Sequence, residues 1–119
     1  MCDVSRRDAS HGRSALSPLN EVTFHPFTDL LLHDMGAELD DGYTEGNATS
    51  AEWRTAPLWG LGLAERAQGG TPFYLHDGRA TTLRDAIRFH GGEGTRSRIA
   101  FGALTAPQQE RLLAYLRSL

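Results

Sequence analysis

Cysteine is almost absent from this chain of 119 residues, in which Cys2 is the only one. A single cysteine excludes an internal disulfide, so cysteine usage does not indicate the redox compartment. It also excludes every motif that needs two cysteines within the chain, including C-x-x-C-H. Any chemistry in this sequence therefore has to come from other side chains.

Long apolar runs and an excess of positive charge are lacking too. The run in "DLLLH" is far shorter than the roughly 20 residues that span a bilayer. Twelve basic residues against 15 acidic ones give a net charge of -3, which gives no reason to expect nucleic acid or an anionic membrane as partner. The opening "MCDVSRRDASHGRS" has no apolar segment after its arginines, so we expect no signal peptide in this chain.

Glycine, by contrast, is abundant. The chain has 13 glycines and only 39% hydrophobic residues, which predicts one loop-rich domain. Small domains of this kind often need a cofactor, a metal or a neighbouring domain to complete their core. Residues 1–21 are polar and show neither helical nor strand spacing, so we expect a poorly ordered arm there.

Two helices are indicated by capping residues and apolar spacing. In "TTLRDAIRFHGGEG", Thr82 suits an N-cap and Asp85 suits the first turn. The positions i, i+3, i+4 and i+7 then share one face: Leu83, Ala86, Ile87 and His90. Two glycines end this helix. The second helix begins at Thr105, with a T-x-x-Q capping box, and its predicted apolar stripe is Leu112, Leu116 and Leu119, widened by Leu113 and Tyr115.

Upstream of these helices the sequence predicts mostly loops, with few or no strands. Residues 27–33 are apolar, but the run is too short for spacing to separate helix from strand. Residues 37–52 predict an acidic loop, and residues 53–63 predict irregular structure or single helical turns. Residues 64–80 predict another loop, with two glycine turn signals.

Two histidines, His33 and His76, each precede an aspartate near a glycine turn, in "LHDMG" and "LHDGRA". A histidine in such a place often donates a ring N–H to a carboxylate or carbonyl. One interpretation is that each His-Asp pair holds a tight turn. The alternative is a metal-dependent hydrolase that uses both pairs, although ligands in such sites usually come from helices. That alternative would employ His33, Asp34, His76 and Asp77.

His90 is the strongest candidate ligand. On spacing alone it is either a hydrogen-bonded core residue or a ligand, and both interpretations stay open. As a ligand among apolar neighbours it favours a large hydrophobic cofactor such as haem, whose iron imidazole binds. Met35 is a second candidate for iron, or else it fills core space. Arg54 and Arg79 are candidates to pair with cofactor carboxylates, although arginines are common on surfaces.

Four stretches resemble, in order, the C-terminal part of the di-haem oxidoreductases: "PFTDLLLHDMG", "EWRTAPLWGLGL", "FYLHDGRATTLRDAIRFHGGEG" and "LLAYLRSL". This family comprises peroxidase-like enzymes, some labelled thiol oxidoreductases, that are related to the bacterial di-haem cytochrome c peroxidases. "LLLHDMG" and "LHDGRATTL" are the most specific matches. The resemblance covers about residues 22–119.

The resemblance implies a mainly α fold, in which residues 22–119 are the C-terminal portion of a cytochrome-c-like haem domain. It implies haem c, electron transfer between haems, a peroxidase-like oxidoreductase activity and a periplasmic location. His90 stands where relatives carry the distal axial ligand, often methionine, and histidine there is expected to lower the reduction potential. The family pattern also puts Arg54 near the haem, gives His33 a positional role, and leaves His76 and Arg79 as cofactor-binding candidates.

The sequence also departs from the family pattern. The C-x-x-C-H attachment motif is expected upstream of "PFTDLLLHDMG" and is absent, so covalent haem is not possible in this chain alone. The N-terminal haem domain is absent as well, so we expect a fragment. Its expected partners are haem and either the missing N-terminal haem domain or an electron-donor protein. The alternative is a non-catalytic remnant or interaction domain that keeps the scaffold without the cofactor.

Overall fold

A computed structural model describes residues 25–119, and the predicted arm over residues 1–21 lies outside the described residues. Helices dominate the described part, as predicted, and its only sheet has two strands. The strands are β1 (Leu32–Asp34) and β2 (Glu52–Arg54). The helices are α1 (Ala64–Ala67), α2 (Leu83–Phe89), α3 (Thr95–Gly102) and α4 (Ala106–Arg117), with 3-10 turns at Leu61–Leu63 and Gly92–Gly94.

The two strands form a short antiparallel ribbon. His33 of β1 lies opposite Trp53 of β2, and the pairing continues past β1 because Met35 N donates to Ala51 O at 2.9 Å. The end of the apolar segment 27–33, whose conformation spacing left open, is therefore extended. The ribbon presents the "LHDMG" motif to the rest of the molecule.

The predicted start of α2 is confirmed, whereas its end comes before His90, which we placed in the last helical turn. Thr82 Oγ1 accepts from Asp85 N at 3.1 Å, and the Thr82 hydroxyl donates to the Asp85 carboxylate at 2.7 Å. The first bond satisfies a backbone N–H at the helix start that has no partner within the helix, and the second holds the capping side chain in place. The last helical residue is Phe89, and His90 follows at the C-cap with an extended ψ of 106°. His90 thus lies at the junction between α2 and the glycine turn.

The predicted capping box of α4 is confirmed, but the centre of its apolar stripe is not where we placed it. Gln108 Oε1 accepts from Thr105 N at 2.9 Å. Leu113 is only 2% exposed, whereas Leu112 is 40% exposed. The reason is that two sides of α4 have apolar surroundings. Leu113 faces the core, and Leu112 lines a cavity.

The core is small and centres on three buried side chains from α2, α3 and α4. They are Leu83, Phe101 and Leu113, and Leu61, Tyr74, Ile87, Leu104 and Leu116 pack around them. Of the described residues, only Leu39 and Leu113 have large side chains that are almost fully buried. Many large apolar side chains stay exposed, so this part of the chain covers little of its own apolar surface.

Two helices are not indicated by the sequence. α1 is a four-residue helix within the predicted loop 64–80. α3 follows a 3-10 turn directly and has no side-chain cap, and its apolar residues do not share one environment. Phe101 is 9% exposed, whereas Ile99 is 63% exposed. Packing of Phe101 in the core, and not local propensity, therefore explains the position of α3.

Within residues 25–119 the longest helix is α4, with 12 residues. A bilayer-spanning helix needs roughly 20 apolar residues. None of the described helices reaches the length and apolarity that crossing a membrane requires.

Candidate functional site

The His90 imidazole is held in one tautomer by the helix that carries it. Its Nδ1–H donates to the Ala86 carbonyl oxygen at 2.7 Å. Because a carbonyl only accepts, Nδ1 carries the hydrogen and the neutral ring keeps its lone pair on Nε2. Nε2 makes no hydrogen bond within residues 25–119. One nitrogen thus orients the ring and the other is available as a ligand.

A cavity of about 490 Å³ opens beside His90. Cofactor sites in proteins are mostly apolar and span roughly 300–1,000 Å³. Here the walls come from the end of α2, from α3 and from α4, and most of the side chains are apolar. The lining residues are Ile87, His90, Ser97, Arg98, Ala100, Phe101, Leu104, Leu112 and Leu116. His90, whose Nδ1 is held by Ala86, therefore forms part of the wall of an apolar cavity.

Met35 lies close to His90, with Gly94 between them. A Cβ built on Gly94 would lie 3.1 Å from His90 Cβ and 3.2 Å from Met35 Cε. The imidazole and the methionine methyl group therefore flank the same glycine. Met35 does not line the cavity beside His90. The structure brings the two predicted iron ligands together, and their ligand roles stay predictions.

His33 lies between two carboxylates. Its Nε2 is 2.9 Å from Asp29 Oδ2, and its Nδ1 is 2.8 Å from Glu93 Oε2. The bond to Glu93, followed by the bond to Asp29, raises the pKa of His33 above its ordinary value of 6.5. Both ring nitrogens donate when the imidazole is protonated. His33 therefore has no free nitrogen for a metal, and its contacts agree with the positional role that the resemblance implies.

The same contacts lower the pKa of both carboxylates. Leu31 N–H donates to Asp29 at 3.0 Å, and this bond, with the bond from His33, lowers the pKa of Asp29 from 3.8 to about 2. The bond from His33, and then the N–H of Asp34, lowers the pKa of Glu93 below 4.5. The charged forms of all three side chains therefore stabilise one another at mildly acidic pH.

This cluster predicts a stability contribution that depends on pH. Because the folded pKa of His33 is raised, its contribution is fully present below pH 6.5 and is lost as the pH rises through the folded pKa. The carboxylates behave oppositely: their contributions are present above 3.8 and 4.5 and are lost as the pH falls through the lowered values. We expect the difference in melting temperature between wild type and His33→Gln to be largest near pH 5.5 and to shrink towards about pH 9.

Thermal unfolding of both proteins across this pH range measures the effect. His76→Gln is the matched control, because His76 contacts an aromatic ring and not a pair of carboxylates. A His33→Gln difference that does not vary with pH would contradict the prediction.

The second His-Asp pair holds its turn through the aspartate. Asp77 accepts from Arg79 N at 3.1 Å and from Arg79 Nε at 2.5 Å. His76 instead stacks on Trp53, with ring centroids 3.6 Å apart and an angle of 10° between the planes. The first pair is similar, since Asp34 Oδ1 accepts from the N–H two residues on at 2.8 Å. In each His-Asp pair the aspartate, and not the histidine, therefore holds the turn.

The two candidate arginines differ in their contacts. Arg79 donates to Glu38 O at 2.5 Å, and its guanidinium lies 5.7 Å from the centre of the Phe89 ring. Pairing with a cofactor carboxylate would compete with these contacts. Arg54 ends β2 opposite Leu32 and is exposed, so its side chain can move more freely. Cofactor binding by either arginine stays a prediction.

The two His-Asp pairs do not assemble into a metal centre in the described part of the chain. Between residues 25 and 119, no group of three or more histidine, cysteine or acidic side chains is arranged to hold a metal ion. Catalytic zinc sites use about three protein ligands. The hydrolase alternative therefore lacks the geometry that it requires.

Comparison with known proteins adds the observation that decides the family. A family model with the description "Di-haem oxidoreductase, putative peroxidase" matches residues 4–119. The chain belongs to this family. The match confirms the resemblance carried by the four motifs, and it begins upstream of residue 22, where we placed the start of the resemblance. Searches of curated proteins and of solved structures gave no significant match.

The name of the di-haem oxidoreductase family implies a haem cofactor, and the residues around His90 fit one. An imidazole whose Nδ1 is bonded to a backbone carbonyl is a suitable donor for haem iron. The apolar cavity suits a large, flat and mostly hydrophobic group. With a single cysteine, the chain has no C-x-x-C-H motif for covalent attachment of haem.

Sequence reasoning missed Asp29 and Glu93, which hold His33. Neither neighbours it in the sequence: Asp29 precedes it by four residues, and Glu93 lies 60 residues away. Spacing of four indicates contact only within a helix, and this segment is not helical. The long-range partner depends on tertiary packing and has no local signal.

Proposed function

We propose that this chain forms the distal side of a haem site in a di-haem oxidoreductase, with His90 Nε2 as an axial ligand of the iron. The observation that carries the proposal is the pairing of the oriented His90 ring with the apolar cavity beside it. Bound haem iron would supply one-electron redox chemistry. Family membership supports the coarser function, an oxidoreductase that uses haem.

In this proposal the protein's own groups have three tasks. Ala86 O fixes the tautomer and the direction of the His90 ring through the 2.7 Å bond. The apolar walls favour a hydrophobic ring system over a hydrated ion. Arg98 is a cation in the cavity wall, and Arg98 Nη1 donates to Arg88 O at 3.2 Å. Its positive charge suits it to pair with a haem propionate at the edge of the cavity.

The finer steps of the proposal follow from the family. The resemblance implies electron transfer between two haems, followed by reduction of peroxide or oxidation of a protein substrate. It also implies a periplasmic location. Thioether attachment of a haem would need a C-x-x-C-H motif, which the single cysteine of this chain cannot supply.

Titration of the chain with hemin tests the ligand assignment. We expect a red-shifted Soret band with wild type, and binding weaker by about 100-fold with His90→Ala, because the only iron–protein bond in the proposed site is lost. His25→Ala is the matched control, since His25 is an exposed histidine that does not line the cavity. Circular dichroism establishes that each variant is folded.

The same titration separates the competing assignments. A large loss of hemin affinity with Met35→Leu, and none with His90→Ala, would assign the ligand role to the Met35 thioether that flanks Gly94. Cooperative unfolding of the apo chain with no spectral response to hemin would favour the alternative of a remnant or interaction domain.

A further inference from the structure

The "LHDMG" and "HGGEG" motifs touch through their backbones. A Cβ on Gly91 would lie 2.6 Å from Met35 O, and a Cβ on Gly36 would lie 2.9 Å from Gly92 N. Both distances are shorter than real Cβ contacts, so no side chain fits between the two segments. Gly36 and Gly92 also have positive φ values, 80° and 46°. The end of β1 therefore lies directly against the turn that follows His90.

The Glu93 carboxylate fastens this contact with both oxygens. Oε2 is 2.8 Å from His33 Nδ1, and Oε1 accepts from Asp34 N at 3.3 Å. On the other face of the imidazole, Asp29 Oδ2 lies 2.9 Å from His33 Nε2. The ring of His33 is thus fixed from both sides and presents Nδ1 to Glu93. A single side chain joins β1 to the 3-10 turn Gly92–Gly94.

The 3-10 turn also passes close to the His90 ring, with no room there for a side chain on Gly94. The Cβ position of Gly94 lies 3.5 Å from His90 Cδ2 and 3.1 Å from His90 Cβ. The turn is closed by Gly94 N, which donates to Gly91 O at 2.7 Å. The His90 ring therefore lies beside a turn that the Glu93 carboxylate joins to β1.

We propose that His33 and Glu93 are a positioning pair for the His90 imidazole. The purpose of the pair rests on the proposed function, in which His90 Nε2 binds haem iron. Neither residue touches the cavity, and neither has a role as ligand: they hold the turn Gly92–Gly94 against β1, and the turn holds the ring.

The magnitudes favour positioning over simple stabilisation. The Glu93 side chain is 59% exposed, and ion pairs at exposed sites contribute little to folding stability. A ligand, by contrast, has to be held within about 0.5 Å of its productive position. Loss of the pair should therefore affect the ring and its ligand more than it affects unfolding.

Hydrogen exchange and NMR on the apo chain test the contact without haem. In Glu93→Ala we expect faster exchange of the Gly94 amide and of the His90 Nδ1–H, by about tenfold. Glu110→Ala is the matched control. Glu110 lies on α4, its side chain is 61% exposed, and its carboxylate lies 2.6 Å from the Arg84 guanidinium. It should leave both signals unchanged. Unchanged exchange in Glu93→Ala would overturn the proposal.

A double-mutant cycle with hemin then tests the effect on the ligand. Glu93→Ala should weaken hemin binding about tenfold, as expected for outer partners of a ligand, and Glu93→Gln, which keeps the length and one acceptor, should restore most of it. In a His90→Ala background, Glu93→Ala should add no further loss. An equal loss in both backgrounds would show a structural effect and overturn the proposal. If His90→Ala binds hemin like wild type, the proposed function fails, and the exchange measurements still decide the positioning pair.

Discussion

Gly92→Ala should destabilise the chain by about 3–5 kcal/mol, which is a large part of the stability of an ordinary domain. Gly92 has φ 46°, a conformation that costs a residue with a Cβ about 1–2 kcal/mol. Its Cβ would also overlap the Asp34 carbonyl oxygen and lie 2.7 Å from Gly36 N. Both neighbours are backbone, so neither can move aside as a flexible side chain would.

Urea unfolding measures this loss, and Gly102→Ala is the control. Gly102 lies in α3, has no positive φ and has nothing within 4 Å of its Cβ position. Alanine there should be neutral or stabilise by up to about 1 kcal/mol, because alanine is the better helix former. Equal stability of Gly92→Ala and wild type would mean that β1 and the glycine turn are not in backbone contact.

Leu113→Ala should destabilise the chain by about 2–5 kcal/mol. Leu113 is 2% exposed and belongs to the small core with Leu83 and Phe101. A core of this size has few other contacts to compensate for the cavity that the truncation leaves. Chemical unfolding of the apo chain measures the loss, and an effect below about 1 kcal/mol would contradict the packing described for α4.

Truncation of the adjacent residue, Leu112→Ala, should affect hemin binding more than folding stability. Leu112 is 40% exposed and lines the cavity beside His90, so its truncation should change the unfolding free energy of the apo chain little. It should weaken hemin binding by several-fold, because apolar area that covers the cofactor is lost. A strong loss of stability with no change in hemin binding would place Leu112 in the core and not in the cavity wall.

The helix ends could be predicted because they depend on neighbouring residues. Thr82 accepts from the Asp85 N–H and Gln108 accepts from the Thr105 N–H, so side chains within three residues indicate the starts of α2 and α4 in the sequence itself. α3 has no such cap, and the packing of Phe101 against two other helices explains its position. The sequence alone has no information on that contact.

The candidate site also has parts that the sequence predicts and parts that it does not. The placement of His90 at the end of an apolar helical face follows from spacing, and its hydrogen bond to Ala86 lies within one helical turn. The motifs also carried enough information to recognise the di-haem oxidoreductase family, which the family match over residues 4–119 confirms. These features depend on neighbouring residues or on whole motifs that the family shares.

Only the tertiary structure decided what surrounds His90. It brought Met35 to Gly94, joined His33 to Glu93 across 60 residues, and left Leu112 on the cavity wall while Leu113 entered the core. The physical reason is that hydrogen-bond geometry and packing act over ångströms in space, whereas spacing rules act over residues along the chain. The sequence by itself determined the helix ends and the family, and the fold determined how the ligand is held.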